Sequence, residues 1–287
     1  MDQRIIDLYD EYTHAPLERR VFLERLTAML GGAALVPAVL GALEPNPAAA
    51  AAVAADDSRL DARWEEYQGG TGPVRGYLVR PKQSEAVLPG VIVIHENRGL
   101  NPHIQDVARR LALEGFVVLA PDLLSPLGGT PEDADRARSM IGQLESSKVV
   151  LDLVGAMSFL MARDRTNGKV GAVGFCWGGG MVNQLAVKSP DLGAGVVYYG
   201  RSPDPAMAGI IKAPLLLHYA GLDQGINQGV PAYEEALKTA GVRYEKHMYE
   251  GVNHAFNNDT SAERYNEPAA RLAWDRTVKF LKASLGG

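Results

Sequence analysis

The chain has 287 residues, 46% hydrophobic and 22% charged, the composition of a soluble protein with a sizeable core. Its net charge of −5 comes without a basic cluster or arginine stripe, which argues against a nucleic-acid partner. The single cysteine, Cys176, forbids an internal disulfide, and the six histidines show no His-Glu-x-x-His or paired spacing, so no metal and no other cofactor is expected. No Gly-x-Gly-x-x-Gly follows a strand and no Walker lysine is present, so neither a dinucleotide nor ATP is indicated.

In chain order, residues 1–57 read as an N-terminal helical extension or signal-like segment. Ile5, Leu8, Tyr9 and Tyr12 recur at helical spacing. Glu18-Arg19-Arg20-Val21-Phe22-Leu23 is twin-arginine-like and is followed by the apolar stretch Leu26 to Leu43. Against an export signal, residues 1–25 carry four arginines and six acids, a sum of −2. Pro37 and the neighbouring glycines interrupt the apolar stretch, so no membrane span is expected. The favoured reading is a retained appendage packed on the catalytic domain or on a second subunit of a homodimer, in a cytoplasmic protein. A periplasmic protein exported through this N-terminus is the alternative.

Residues 58–287 read as a catalytic domain. Val74 to Arg80 is an early, antiparallel strand, followed by strands at Val91–Ile94, Gly115–Ala120, Val170–Val173, Ala194–Tyr199, Pro214–His218 and Arg243–Tyr249. Amphipathic stretches alternate with them at Ile104–Glu114, Val149–Arg163, Val182–Ser189, Val230–Ala240 and Ala269–Leu281. The last helix is expected to face the core through Leu272, Trp274, Val278 and Leu281. This alternation predicts an α/β fold, a mostly parallel sheet with helices on both faces. Pro121 to Asp135, rich in Pro, Gly and Asp, is either a long active-site loop or surface filler.

Candidate chemistry gathers where strands end. Gly174-Phe175-Cys176-Trp177-Gly178 has the Gly-x-nucleophile-x-Gly spacing of a strained strand-to-helix turn, with sulfur in place of the usual serine hydroxyl. The amides that open the next helix, beginning at Trp177, face a developing oxyanion. Downstream, Gly221-Leu222-Asp223 ends an apolar strand, and His254 lies in the loop after the last predicted strand. Nucleophile, acid, histidine is the α/β-hydrolase order. Of the other histidines, His14 and His103 read as solvated, His218 and His247 as strand residues, and His95 adjoins Glu96. That glutamate lies in the loop His95-Glu96-Asn97-Arg98-Gly99 after an early apolar strand.

These four motifs together resemble the dienelactone hydrolase family over about Val74 to Leu281. The resemblance implies an α/β-hydrolase fold with a Cys176, Asp223, His254 triad that cleaves a carboxylic ester or lactone through a thioester acyl-enzyme. It further implies that Glu96 contacts the resting thiol and helps to deprotonate it when substrate arrives, and that the amides of Asn97 and Trp177 form the oxyanion hole. Phe256 lies in the matching histidine motif, among the residues expected to bind substrate. In the best-known members an arginine shortly after the catalytic histidine grips a substrate carboxylate, whereas here Asn257-Asn258-Asp259 follows; Arg98 and Arg201 are the cations left for that role. Two other classes stay open, a thiol redox enzyme using Cys176 and a catalytically inactive scaffold.

Overall fold

The computed structural model describes residues 1–14, 17–44, 51–82 and 86–286. Among them, eight strands form one sheet: β1 (Leu60–Gln68), β2 (Pro73–Pro81), β3 (Leu88–Ile94), β4 (Val117–Pro121), β5 (Thr166–Phe175), β6 (Ala194–Tyr198), β7 (Leu215–Ala220) and β8 (Tyr244–Tyr249). Their order is β1-β2-β4-β3-β5-β6-β7-β8. The β1–β2 and β2–β4 pairings are antiparallel and all the others parallel. The sheet is therefore the mostly parallel α/β-hydrolase type, and β1 is the element that periodicity missed. Its sequence, Leu-Asp-Ala-Arg-Trp-Glu-Glu-Tyr-Gln, is charged and half exposed because it is an edge strand with one neighbour.

The helices are α1 (Gln3–His14), α2 (Arg19–Leu30), α3 (Val36–Leu43), α4 (Pro102–Leu113), α5 (Ala134–Ile141), α6 (Ser146–Met161), α7 (Trp177–Lys188), α8 (Gln224–Asn227), α9 (Val230–Thr239) and α10 (Glu267–Leu285). Side chains alternate across the central strands, so Val91 and Val93 of β3 join one core with Ile104 and Val107 of α4 and Leu281 of α10. Ile92 and Ile94 join the other with Leu153 and Leu160 of α6 and Val182 and Leu185 of α7. Burial on both faces explains why the parallel strands read as continuous apolar runs.

Helix α10 corrects one expectation. Leu272 is 46% exposed, and Trp274 is only partly buried. Val278 and Leu281 are buried as expected, and the buried face also holds Ala269, Ala273, Thr277 and Leu285, at four-residue spacing with Leu281. Thr277 belongs to it because its hydroxyl meets the Tyr198 hydroxyl at 2.7 Å and His218 Nε2 at 3.2 Å inside the core. Selecting on apolarity alone skipped the small and polar members of the buried face.

The N-terminal helices pack a core of their own. Tyr9 and Tyr12 of α1 are buried with Phe22 and Leu26 of α2 and Leu43 of α3, and the Tyr12 and Phe22 rings stack with centroids 4.3 Å apart. Each such side chain contributes about 1.5–3 kcal/mol on burial. Polar contacts tie this layer to the sheet domain: the Tyr12 hydroxyl donates to Asp135 at 2.9 Å, and Arg138 donates to the Tyr12 carbonyl at 2.7 Å. Of the twin arginines, Arg19 pairs with Asp135, while Arg20 is exposed beside Glu24. No single helix among the described residues is long and apolar enough to cross a membrane; the apolar pair Arg19–Leu30 and Ala33–Leu43 is bent by 110°.

Beyond β8, Asp259 ties the following loop to α4. Its carboxylate lies 3.1 Å from His103 Nδ1 and 2.5 Å from an Arg110 Nη. Burial works against its charge, but the hydrogen bonds from His103 and Arg110 hold its pKa down at about 2. His103 is thus a buried partner, not the solvated residue its place at a helix start suggested. A depressed folded-state carboxyl contributes stability that is present above the ordinary value of 3.8 and lost as pH falls through about 2. Asp259→Asn should therefore lower stability at pH 7 by on the order of 1–2 kcal/mol, and the difference should close between about pH 4 and pH 2. Denaturant melts across that range test this, and identical melts at pH 7 would rule it out.

Candidate active site

Cys176 sits alone between β5, which ends at Phe175, and α7, which begins at Trp177. Its backbone is in a strained region, φ 55° and ψ −117°. Two glycines make the turn: a Cβ on Gly174 would lie 2.2 Å from the Gly178 carbonyl oxygen, and one on Gly178 would lie 2.4 Å from the Ile94 carbonyl oxygen. No side chain fits at either position, which is the physical content of the Gly-x-Cys-x-Gly spacing. The Cys176 amide donates to the Tyr198 carbonyl at 3.0 Å, anchoring the turn to β6. The thiol is 6% exposed.

Asp223 and His254 meet above it. Asp223 lies just past the end of β7 and divides its carboxylate: Oδ1 accepts from the Ile226 amide at 3.1 Å, capping α8, and Oδ2 accepts from His254 Nδ1 at 2.5 Å. His254, 2% exposed, lies past β8 in the loop that leads to α10. Burial opposes charge on this imidazole, but the Asp223 carboxylate and Cys176 outweigh it and hold its pKa well above the ordinary histidine range. His254 Nε2 is buried without a hydrogen-bond partner among the described residues, and a ring nitrogen of His254 lies within 4.8 Å of Cys176 Sγ.

The loop after β3 brings Glu96, Asn97 and Arg98 to the same place. A cavity of about 20 Å³, room for little more than a water molecule, is lined by these three with Cys176, His254 and Arg264. The Glu96 carboxylate accepts from Asn258 Nδ2 at 2.8 Å, so the residue standing where an arginine was sought holds the glutamate instead. Asn97 donates its side-chain amide to the Thr13 carbonyl at 2.7 Å, and Trp177 stacks on His95 with centroids 5.3 Å apart. Arg98 donates to the Tyr9 hydroxyl at 3.1 Å and also lines a larger cavity of about 580 Å³ with Arg19, His103, Thr130 and Asp135. None of Cys176, Asp223 or His254 lines that larger cavity. Arg201 is exposed and lines neither cavity, and Phe256 is fully buried against Tyr198, Tyr199 and Tyr249.

The residue that sequence reasoning discarded is His14. It is not solvated: its Nε2 lies 3.0 Å from Cys176 Sγ, and its ring is 4.1 Å from that of His254. Its Nδ1 lies 2.8 Å from the Asp10 carbonyl, so that nitrogen carries the proton and Nε2 presents a lone pair to the sulfur. Burial pushes its pKa well below the ordinary value, with His254 adding to the effect. Tyr9 and Thr13 complete the lining from the same helix, so the end of α1 closes over the thiol. His14 is therefore a polar neighbour hydrogen-bonded to the thiol, and Glu96 lines the same cavity. The helical spacing of Ile5, Leu8, Tyr9 and Tyr12 signalled a buried face on α1, but nothing local signalled what that helix covers.

A strand-to-helix turn bearing a thiol, with a buried histidine and aspartate gathered over it on a mostly parallel sheet, defines an α/β-hydrolase-type protein. Comparison narrows this. The dienelactone hydrolase family profile matches residues 74–285, and a separate YqhI-like profile matches residues 1–30. An Escherichia coli O157:H7 protein provisionally named carboxymethylenebutenolidase is 32% identical over 251 residues, which span 83% of this chain and 92% of the relative. A crystal structure assigned as a dienelactone hydrolase from Klebsiella pneumoniae superposes with a TM-score of 0.70 at 30% identity, over 79% of this chain and 98% of its own. A mutant form of the esterase rPPE matches over 99% of this chain and 96% of its own with a TM-score of 0.65; at 17% identity it shows the fold alone. The chain belongs to the dienelactone hydrolase family and is a carboxymethylenebutenolidase-like hydrolase.

Proposed function

We propose that the chain cleaves a carboxylic ester or lactone by covalent catalysis at Cys176. The observation that carries this reading is the convergence of the Asp223–His254 pair on a thiol held in a glycine-flanked turn. The His254 imidazole takes the thiol proton, and the sulfur attacks the carbonyl carbon to form a C–S bond. The backbone amides of Asn97 and Trp177 receive the developing oxyanion. Collapse breaks the C–O bond, His254 returns the proton to the leaving oxygen, and a thioester remains. Water, deprotonated by the same imidazole, then releases the acid and restores the thiol. Asp223 holds the imidazole in the tautomer this cycle needs.

Two features qualify the substrate. The cavity at the thiol is too small for an acyl group while His14 is in place, so the end of α1 has to withdraw before an ester binds. Arg98, which lines both cavities, is better placed than Arg201 to meet a substrate carboxylate. A panel of 4-nitrophenyl esters with dienelactone, assayed before and after iodoacetamide, tests the reading. Turnover should be lost in step with alkylation of Cys176. Turnover untouched by complete alkylation would refute the nucleophile, and peroxide consumption in place of hydrolysis would favour thiol redox chemistry.

A further inference from the structure

Cys176 Sγ and one ring nitrogen each of His14 and His254 all lie within 4.8 Å of one another, with His14 Nε2 3.0 Å from the sulfur. They come from three places far apart in the chain: the last turn of α1, the turn before α7 and the loop after β8. Both imidazoles are held from behind. Nδ1 of His14 is bound to the Asp10 carbonyl at 2.8 Å, and Nδ1 of His254 to the Asp223 carboxylate at 2.5 Å. A carbonyl or carboxylate behind each ring, aiming Nε2 at a common point, is the arrangement that orients histidines on a metal. His254 Nε2 is buried and has no hydrogen-bond partner among the described residues, so it is a ring nitrogen not committed to another group.

We propose that these three side chains form a binding site for a borderline-soft divalent cation of the zinc class, and that the bound ion locks α1 over the nucleophile. Zinc takes thiolate at about 2.3 Å and imidazole at about 2.0–2.1 Å. No pair among the three donors is further apart than 4.8 Å, and His14 Nε2 and Cys176 Sγ, at 3.0 Å, have to open to about 3.5 Å to take an ion between them. One thiolate and two imidazoles suit zinc, cobalt or copper and do not suit magnesium or calcium, which demand oxygen. His14, Cys176 and His254 all line the cavity of about 20 Å³, which has room for a water as a fourth ligand. Binding releases the thiol proton to solvent, replaces the His14–Cys176 hydrogen bond, and forms one metal–sulfur and two metal–nitrogen bonds in place of waters the ion sheds. Since His14 belongs to the extension and Cys176 and His254 to the sheet domain, the ion is a cross-link. The sulfur it occupies cannot attack a carbonyl, so the metal-bound chain is a closed, inactive state.

The site was invisible to motif reading because its ligands share no local spacing; the contact between His14 and Cys176 spans 162 residues. The proposal does not need Cys176 to be a nucleophile, and its test needs no substrate. Full-length protein, freed of metal with a chelator, is titrated with Co²⁺ as a spectroscopic probe. The expected result is one equivalent bound, with a thiolate-to-cobalt charge-transfer band in the near ultraviolet that Zn²⁺ displaces. Cys176→Ser should remove the band, and His14→Ala should weaken binding at least about tenfold. Tyr12→Phe removes the hydroxyl that reaches Asp135 but no donor, so it should bind as the wild type does. Absence of the band in the wild type overturns the proposal, as does unchanged affinity in His14→Ala. Equal weakening in Tyr12→Phe also overturns it, since the loss would then reflect loosened docking of α1. If the metal-free protein is silent toward esters yet shows the band once Co²⁺ is added, the proposed hydrolysis at Cys176 is refuted and the metal site stands.

Discussion

Cys176→Ala should abolish ester hydrolysis, with kcat/KM falling by at least about a thousandfold, while the fold is retained. The alanine keeps the Cβ and the strained backbone of the turn, and Gly174 and Gly178 still leave the room the turn requires. Only a small sulfur is lost, so stability should shift by no more than about 1–2 kcal/mol. Cys176→Ser should also lose activity by orders of magnitude, because a hydroxyl is far harder to deprotonate than a thiol near neutral pH. Intact-mass measurement gives a second readout: a slowly deacylating ester should leave an acyl adduct on the wild type and none on the alanine variant. Turnover by Cys176→Ala at the wild-type rate would sink the nucleophile assignment.

What was legible in the sequence was what local sterics and chain order encode. The turn around Cys176 declares itself because Gly174 and Gly178 sit where a Cβ would meet backbone oxygen within 2.4 Å. The parallel strands declare themselves because they are buried on both faces and so lack polar positions. Asp223 and His254 follow from their places beyond β7 and β8, and the structure joins them at 2.5 Å. His14 could not be found this way. Its neighbours show that α1 buries one face, but which surface receives that face is settled by Tyr12 meeting Asp135, Asn97 meeting the Thr13 carbonyl and Arg98 meeting Tyr9. Those partners lie between 84 and 123 residues away, and no periodicity reports them. Edge strand β1 escaped for a related reason, since its register is imposed by β2 and not by a face of its own.

His254→Ala should lose nearly all activity, because it removes the group that takes the proton from sulfur and returns it to the leaving oxygen. Asp223→Asn should lose somewhat less, on the order of 10²–10⁴-fold, and it separates orientation from proton transfer. Asparagine is isosteric and keeps an oxygen for the Ile226 amide, so the cap of α8 survives and the stability change should be small. The other half of the side chain changes its chemistry. An amide nitrogen facing His254 Nδ1 is a donor meeting a donor, and the ring relieves this by moving its proton to Nε2. Nε2 then faces Cys176 with a hydrogen in place of a lone pair and can no longer accept the thiol proton. The aspartate also stabilises the imidazolium that forms during attack, and the neutral amide does not. Loss of activity in Asp223→Asn should therefore fall on kcat more than on KM, with a melting curve close to that of the wild type. Wild-type kcat in Asp223→Asn would show that another acid orients the imidazole, and Glu96, across the same cavity, is where that role would have to pass.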